Sequence, residues 1–540
     1  MVRFRFPLVA TAVVLTAAAA GGWVGNRAFA RDDRAEQMRT FTAALAAIEA
    51  NYIEPVESDQ LVYSAIGGML QTLDPHSSFM NPRDYRQLRE RQEGRYFGLG
   101  ITIAVIDGDI TVMDLFEGAP AYLKGIRRGD VIARIEGENA KGWTSDDAVK
   151  RLRGPRGTTV KISLRRLGYD QLIDLEVPRD QITMPSIPAE FMIGADTGYI
   201  RLQDFNETTG DSLDRALRGL KTGGMKRLVL DLRSNPGGAL NQATRVSNAF
   251  LPQGQLIVYT RGRVPNADQD FHATERSEFT DFPIVVLVNR SSASASEIVA
   301  GALQDHDRGL VVGETTFGKA LVQSVYRISD DAGLALTTAR YYTPSKRLIQ
   351  RPWDGTFDEY LTFTLREQDP GRPRSASDLR LTDAGRKVYS GGGIEPDRRF
   401  DGPVEGFSPS LLGRQLYARQ LFASYAERYA AEGDTRIAAN GARRLVRRGF
   451  GVDDTMLADF RRFIQAAPRL RVTDEAFEKD AGFLRAMVKY DIDRALFGMT
   501  EARRNLIAVD PQAQFALSTF PDAVALLGLR NGKGIKADRP

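Results

Sequence analysis

The sequence predicts a multidomain α+β protein: an α/β layered core, a smaller module of short strands inserted ahead of it, and helical regions at both ends. Three observations carry that expectation. From about residue 196 to 400, apolar strand-like runs alternate with helix-like stretches: Gly198-Tyr199-Ile200-Arg201-Leu202, Leu228-Val229-Leu230-Asp231-Leu232, Ile284 to Val288, Leu310-Val311-Val312 and Leu334 to Thr338. From Tyr96 to Arg166 the text changes to short strands punctuated by glycine, as in Gly98-Leu99-Gly100-Ile101, Gly125-Ile126-Arg127-Arg128-Gly129-Asp130-Val131-Ile132 and Val160-Lys161-Ile162-Ser163-Leu164. At the ends, apolar residues recur at helical spacing: Phe41, Leu45, Ile48 and Tyr52 in one region, Leu412, Leu416, Leu421, Phe422, Tyr425 and Tyr429 in the other. The expected segments are a leader or anchor (1–30), an amino-terminal helical region (31–95), the short-strand module (96–180), the layered core (181–400) and a carboxy-terminal helical region (401–540).

A chain of 540 residues can bury a sizeable core, and its 42% hydrophobic and 26% charged residues are those of a globular protein. The formal charge is +4. Residues 1–30 supply Arg3, Arg5 and Arg27 with no acid, so the remainder holds 70 basic against 69 acidic groups, which argues against a nucleic-acid partner. With no cysteine, the chain excludes a thiol nucleophile, thiolate metal sites and disulfides.

The amino terminus carries basic Arg3 and Arg5, an apolar run from Leu8 to Val24 and the small-x-small triplet Ala28-Phe29-Ala30. These are the parts of an export signal cleaved after Ala30. The stretch from Pro7 to Gly25 also approaches the roughly 20 residues that span a bilayer, so an uncleaved anchor is the competing expectation. Either places the protein outside the cytoplasm, in the periplasm or cell envelope.

The chemistry concentrates around Ser294, in Ser292-Ala293-Ser294-Ala295-Ser296-Glu297-Ile298, and Lys319, in Thr316-Phe317-Gly318-Lys319. Ser294 falls where the run Ile284 to Val288 turns into the helical stretch Glu297 to Leu303. Unpaired first-turn amides and the positive end of the helix dipole there favour a hydroxyl or developing oxyanion. A plain helix cap is what serine at this place more often is.

The short-strand module resembles a PDZ domain, with Leu99, Gly100 and Ile101 in its carboxylate-binding loop; glycine there lets successive amides point into one concavity. With the helical amino-terminal region, this module, Asp231-Leu232-Arg233-Ser234-Asn235-Pro236-Gly237-Gly238, the serine cluster and Gly313-Glu314-Thr315-Thr316-Phe317-Gly318-Lys319 in that order, the chain resembles the carboxy-terminal processing, or tail-specific, serine peptidases over residues 35 to 400. The resemblance implies a crotonase- or ClpP-like peptidase core, Ser294 as nucleophile, Lys319 as general base, and Gln323, one helical turn beyond, as the partner that orients the lysine. It also implies an oxyanion site at the Ala295 amide with a glycine amide from Gly237 or Gly238. Ala320 stands where the family usually has glycine, so its methyl matters if that backbone needs positive φ.

The residues make the same chemistry coherent. A serine hydroxyl needs a base within reach, and lysine serves only when neutral, its pKa pulled from about 10.4 toward 7 at a cost of roughly 4 to 5 kcal/mol. Phe317, Leu321 and Val322 are apolar neighbours suited to that, and uncharged Gln323 would hold the amine without re-stabilising an ammonium. His76, His272 and His306 are scattered and offer neither a Ser-His arrangement nor metal-ligand spacing, so no metal or cofactor is expected. The expected protein is an exported endopeptidase that cleaves near the carboxyl termini of proteins or peptides with a free end. A silent-core PDZ scaffold of the envelope is the alternative, and the helical stripes leave room for a homodimer or an adaptor.

Overall fold

The structure, a computed structural model, describes residues 34–166, 169–329, 331–353, 357–365, 375–400, 402, 404, 406–432, 446–467, 470–530 and 532. The expected leader or anchor lies outside the described residues. Among those described, no helix is long and apolar enough to cross a membrane. The chain forms two compact units, one from the residues up to Pro82 with Val325–Leu336, the other from Arg83–Ser324 with Thr337–Pro540.

The larger unit is organised by a six-stranded sheet in the order Ala189–Ile193, Thr197–Arg201, Arg227–Asp231, Ile284–Val288, Leu310–Gly313, Arg398–Arg399. The first pair is antiparallel and every later one parallel. Its strands read as continuous apolar runs because both faces are covered. Ile200, Leu228, Leu230, Ile284, Val286 and Val311 face helices Thr209–Thr222, Leu240–Asn248 and Ala295–Asp305. The alternate residues Tyr199, Val229, Val285, Leu287, Leu310 and Val312 pack under Ile507, Ala513, Ala516, Phe520 and Leu526 of helices Met499–Ile507, Pro511–Ser518 and Phe520–Arg530. The carboxy-terminal region therefore supplies the second cover of the core, a role that its own apolar stripe did not reveal.

The remaining carboxy-terminal helices build a separate core around Leu416, Phe422, Tyr425, Phe460, Leu484 and Val488. The short-strand module is an antiparallel sheet in the order Ile101–Ile106, Asp109–Leu115, Val131–Ile135, Thr159–Arg165, Ile173–Pro178. It closes on its own core of Ile110, Ile132, Val160, Ile162 and Leu164. Arg95–Gly98 and Asp180–Thr183 pair as a two-stranded ribbon where the chain enters and leaves this module.

In the smaller unit, helices 34–51 and Ser58–Gln71 precede strand Ser78–Met80, which pairs antiparallel with Gly333 to Ala335. The Asp74 turn is a carboxylate cap: Oδ1 accepts the amides of His76 and Ser77, each at 2.8 Å, and Oδ2 accepts the Ser77 hydroxyl at 2.7 Å.

Phe520 is 1% exposed beneath the sheet, and Arg227 lies 4.7 Å over its ring. Phe520→Ala is expected to lower stability by about 3 to 5 kcal/mol, read by denaturant unfolding of the full chain; a loss below about 1 kcal/mol would show that the carboxy-terminal helices are not part of the core.

Candidate active site

The turn from strand Ile284–Val288 into helix Ala295–Asp305 sorts the three serines of the cluster. Ser292 and Ser296 are fully buried, and their hydroxyls donate to Leu232 O at 2.9 Å and Asn235 O at 3.0 Å. They are braces between adjacent turns. Ser294 alone of the three is partly exposed, and its backbone stands at φ 55°, ψ −113°. A side-chain-bearing residue there costs about 1 to 3 kcal/mol and persists only when its surroundings fix it. An ordinary helix cap has extended backbone, so the turn is an elbow that lifts Ser294 at the end of a strand.

Glu297 supplies the fixing. Its carboxylate is fully buried and has four donors: Oε2 accepts the amides of Ser294 at 2.8 Å and Lys319 at 2.9 Å, and Oε1 accepts the Gly318 amide at 2.7 Å and the Thr316 hydroxyl at 2.5 Å. One side chain thus ties the serine elbow to the lysine turn. Burial pushes the Glu297 carboxyl up to about 7, against the hydrogen bonds from Thr316, Lys319, Ser294 and Gly318 that hold it down. From the other side, the Tyr341 hydroxyl lies 2.7 Å from Lys319 O and 3.1 Å from Ser294 O and donates to them in shared fashion. Burial drives its pKa well up, so it stays a donor.

The glycine turn after strand Arg227–Asp231 packs against the serine elbow. Gly237 packs so tightly that a Cβ would lie 2.8 Å from Ala293 O, Ala295 N and Ser294 Cβ. Its amide donates to Asn235 Oδ1 at 2.9 Å, while buried Asn235 donates through Nδ2 to Leu202 O at 2.9 Å. Gly237 therefore spends its N–H internally. Among the described residues, no protein acceptor takes the amide of Gly238 or of Ala295.

Lys319 follows strand Leu310–Gly313 and the Gly318 turn. Beside it, Phe317 meets Tyr360 and Phe363 edge-on at 5.3 and 6.2 Å. Arg351 braces the turn from Nε to Phe317 O at 2.7 Å, stacked 3.3 Å over the Phe363 ring, and burial brings its pKa down to about 10. Leu321 is buried beside this turn, as the sequence suggested. Ala320 is fully buried, is not among the positive-φ residues and donates its amide to Gln350 Oε1 at 2.8 Å, so the methyl in place of glycine brings no left-handed strain.

One expectation needs correcting. Gln323 is not a helical turn from Lys319: it lies on strand Leu321–Arg327, and Nε2 donates to Thr337 Oγ1 at 3.2 Å. Val322, Val325 and Tyr326 around it are β-branched and aromatic residues that favour a strand, and Ser324 is likewise bonded across to Thr338 at 2.7 Å. His306 caps the far end of the serine helix, where its ring nitrogens engage Asp383 Oδ2 and Leu256 O, each at 2.7 Å. Among the described residues there is no His, Cys, Asp or Glu group suited to a metal.

In the short-strand module, Leu99 is buried and Gly100 takes φ 80°; a Cβ there would come 2.2 Å from the Ala119 methyl. Ile101 begins the edge strand. Glu297, Tyr341 and Asn235 went unread as functional residues. The first had a signal, because Ser-x-x-Glu is capping-box spacing; Tyr341 had none, since it arrives from a separate strand.

A family model described as peptidase family S41 matches residues 196–356, one described as a PDZ domain matches 87–165, and one described as the activating protease CtpB N-terminal domain matches 19–83. The chain is similar to the carboxy-terminal-processing protease of Bartonella bacilliformis, 39% identical over 319 residues that cover 58% of this chain and 73% of that protein. It is similar to the carboxy-terminal processing protease CtpA of Bacillus subtilis, 33% identical over 345 residues, 64% of this chain and 73% of that one. Among solved structures it is similar to a photosystem II D1 C-terminal processing protease, 28% identical, covering 67% of this chain and 92% of that chain with a TM-score of 0.34.

Because the Glu297 carboxyl rises from 4.5 to about 7 on folding, the folded protein holds that proton more tightly than the unfolded chain. Its contribution is full below pH 4.5, declines as pH rises through the interval and is lost above about 7. Glu297→Gln has no such titration. The stability of wild type relative to this variant is expected to fall by about 3 kcal/mol between the two limits in denaturant unfolding; a difference independent of pH would refute the buried-carboxyl assignment.

Proposed function

The chain belongs to the carboxy-terminal processing proteases of peptidase family S41 and is a serine-type peptidase that cleaves carboxy-terminal extensions; from that premise we propose that Ser294 and Lys319 form its catalytic dyad, that the protein works outside the cytoplasm, and that its PDZ domain selects substrates by their free carboxyl end. The observation that carries the dyad is the Glu297 carboxylate that accepts the amides of both residues. A shared buried acceptor fixes two turns from distant parts of the sequence against each other, as bond-making geometry demands.

In the proposed step, neutral Lys319 takes the Ser294 proton as Oγ attacks the scissile carbonyl, then delivers it to the leaving amine; the Lys319 amine next takes a proton from the water that attacks the acyl group and returns it to Ser294 Oγ as the acid product leaves. The carbonyl oxygen, charged in the tetrahedral intermediate, is met by the amides of Ala295 and Gly238. Gly238 is preferred to Gly237 because the latter already donates to Asn235. Gln323 keeps its oxygen for the lysine amine while its nitrogen donates to Thr337. The apolar run Leu8 to Val24, with Ala28-Phe29-Ala30 after it, supports export. The Leu99-Gly100-Ile101 loop beside an edge strand supports capture of a peptide tail by strand addition.

Ser294→Ala and Lys319→Ala are each expected to reduce cleavage of a tailed peptide by about 10³-fold or more with unchanged peptide binding, which would reject the scaffold reading; activity equal to wild type in both would reject the dyad. Amidating the peptide's carboxyl end is expected to raise KM by about tenfold or more, measured by initial rates. An amide cleaved like the acid would reject tail recognition by the PDZ loop.

A further inference from the structure

The carboxy-terminal helices touch two places that matter to cleavage. At one end they grip the segment that backs the tail-binding loop. Arg128 forms an ion pair at 3.0 Å with Asp491, with side chains only 10% and 8% exposed, and its Nε donates to Met113 O at 2.8 Å. Arg494 pairs with Asp114, and the Met499 amide donates to Glu117 Oε1 at 3.2 Å. The Glu427 side chain lies 3.6 Å from where a Gly129 Cβ would stand. The gripped stretch supports the loop directly: Phe116 N donates to Gly100 O at 3.0 Å and Ala121 N to Leu99 O at 2.9 Å.

At the other end the same helices hold the turn that leads to Gly238. Asp510 pairs with Arg233 at 2.6 Å, and Gln512 Oε1 accepts from the same guanidinium at 3.1 Å. Arg233 is itself locked to Asp231 at 2.8 Å, inside the segment Asp231 to Gly238. Between the two ends the chain is stiff. Helices Ala481–Phe497 and Met499–Ile507 meet at Gly498, and buried Asp493, paired with Lys489 of its own helix at 3.0 Å, accepts Asn505 Nδ2 through Oδ2 at 2.8 Å across the corner. Ile507 is buried with Phe191 on the central sheet.

We propose that these helices are a strut that sets the distance between the captured carboxyl end and the scissile bond, so that Arg128, Asp491, Arg494 and Asp114 determine where along its tail a substrate is cut. A tail held at a loop of fixed position can present only the bonds that reach Ser294 from there, whereas a loop free to shift presents several. The inference rests on the proposed capture of tails by the PDZ loop.

The test maps cut positions by mass spectrometry on an unstructured peptide with a free carboxyl end and on its amide. Wild type should cut the acid mainly at one bond. Arg128→Asp or Asp491→Arg, which put like charges together in a nearly dry contact, should reduce the share of that bond about fivefold, spreading cuts to neighbours while total turnover changes less. The double exchange Arg128→Asp with Asp491→Arg restores an ion pair and should restore the single cut, which separates loss of the strut from loss of folding; Arg494→Ala is a milder second variant. Single variants that keep the wild-type cut position, or a double exchange no better than either single with wild-type thermal stability, would overturn the strut. A wild type that treats acid and amide alike would overturn tail capture itself, and the strut with it; a wild type that needs the acid while the variants keep its cut position would overturn the strut alone.

Discussion

The arrangement depends on one buried carboxylate. Glu297 sits where an uncompensated charge would be expensive, yet three backbone amides and one hydroxyl converge on it. Those amides belong to Ser294, Gly318 and Lys319, so the carboxylate can be satisfied only if the strand-to-helix elbow and the Gly318 turn stand in one relation. Because its donors come from both turns, the group is a positional constraint more than a source of stability, in line with the raised pKa. Tyr341 completes the frame on the carbonyl side, leaving the backbone of both residues held by its amide and its carbonyl. The Ser294 conformation at φ 55° would otherwise relax to an ordinary cap.

A second constraint acts on a larger scale. A mainly parallel sheet buried on both faces needs two layers of cover, and here the two come from opposite parts of the chain. Helices between the strands cover one face; the last three helices described cover the other. The carboxy-terminal region is thus bound to the core by the same apolar alternation that makes the strands, which explains why it can carry Asp510 to the partly buried Arg233. Although burial opposes the charge, the guanidinium groups of Arg233 and Arg201 hold the Asp231 carboxyl well below the usual carboxylate range. The start of the glycine turn is fixed from strand, helix and neighbouring strand together.

Much of this was legible because it is local. Apolar runs such as Ile284 to Val288 announce strands, glycine punctuation announces the short-strand module, and Ser294 stands at a predicted strand-to-helix junction. What stayed hidden was either a long-range pairing or a choice between equal spacings. Tyr341 meets Ser294 and Lys319 only through tertiary packing. Gln323 stands four residues after Lys319, which suits a helix, but Val322, Val325 and Tyr326 around it are of types that favour a strand. Gly237 and Gly238 are indistinguishable in sequence, and only the Asn235 side chain separates them by occupying one amide. The carboxy-terminal stripe told that a face was apolar, not which surface it covered.

The serine helix is anchored at its far end as well. Its far end is a cluster of buried charge: Asp305 pairs with fully buried Arg347, Asp307 with Arg386, and Arg386 also with Asp397, while His306 is engaged by Asp383 and Leu256. Acids at a helix carboxyl end oppose the dipole, so these side chains need their cations, and the cations come from segments after Lys319. At the near end Glu297 lies in the first turn, where the dipole favours it. Each end of the helix is thus tied to the later chain, and the imidazole is one of the ties. With the helix fixed at both ends, the Glu297 carboxylate in its first turn holds the Ser294 and Lys319 turns in one register.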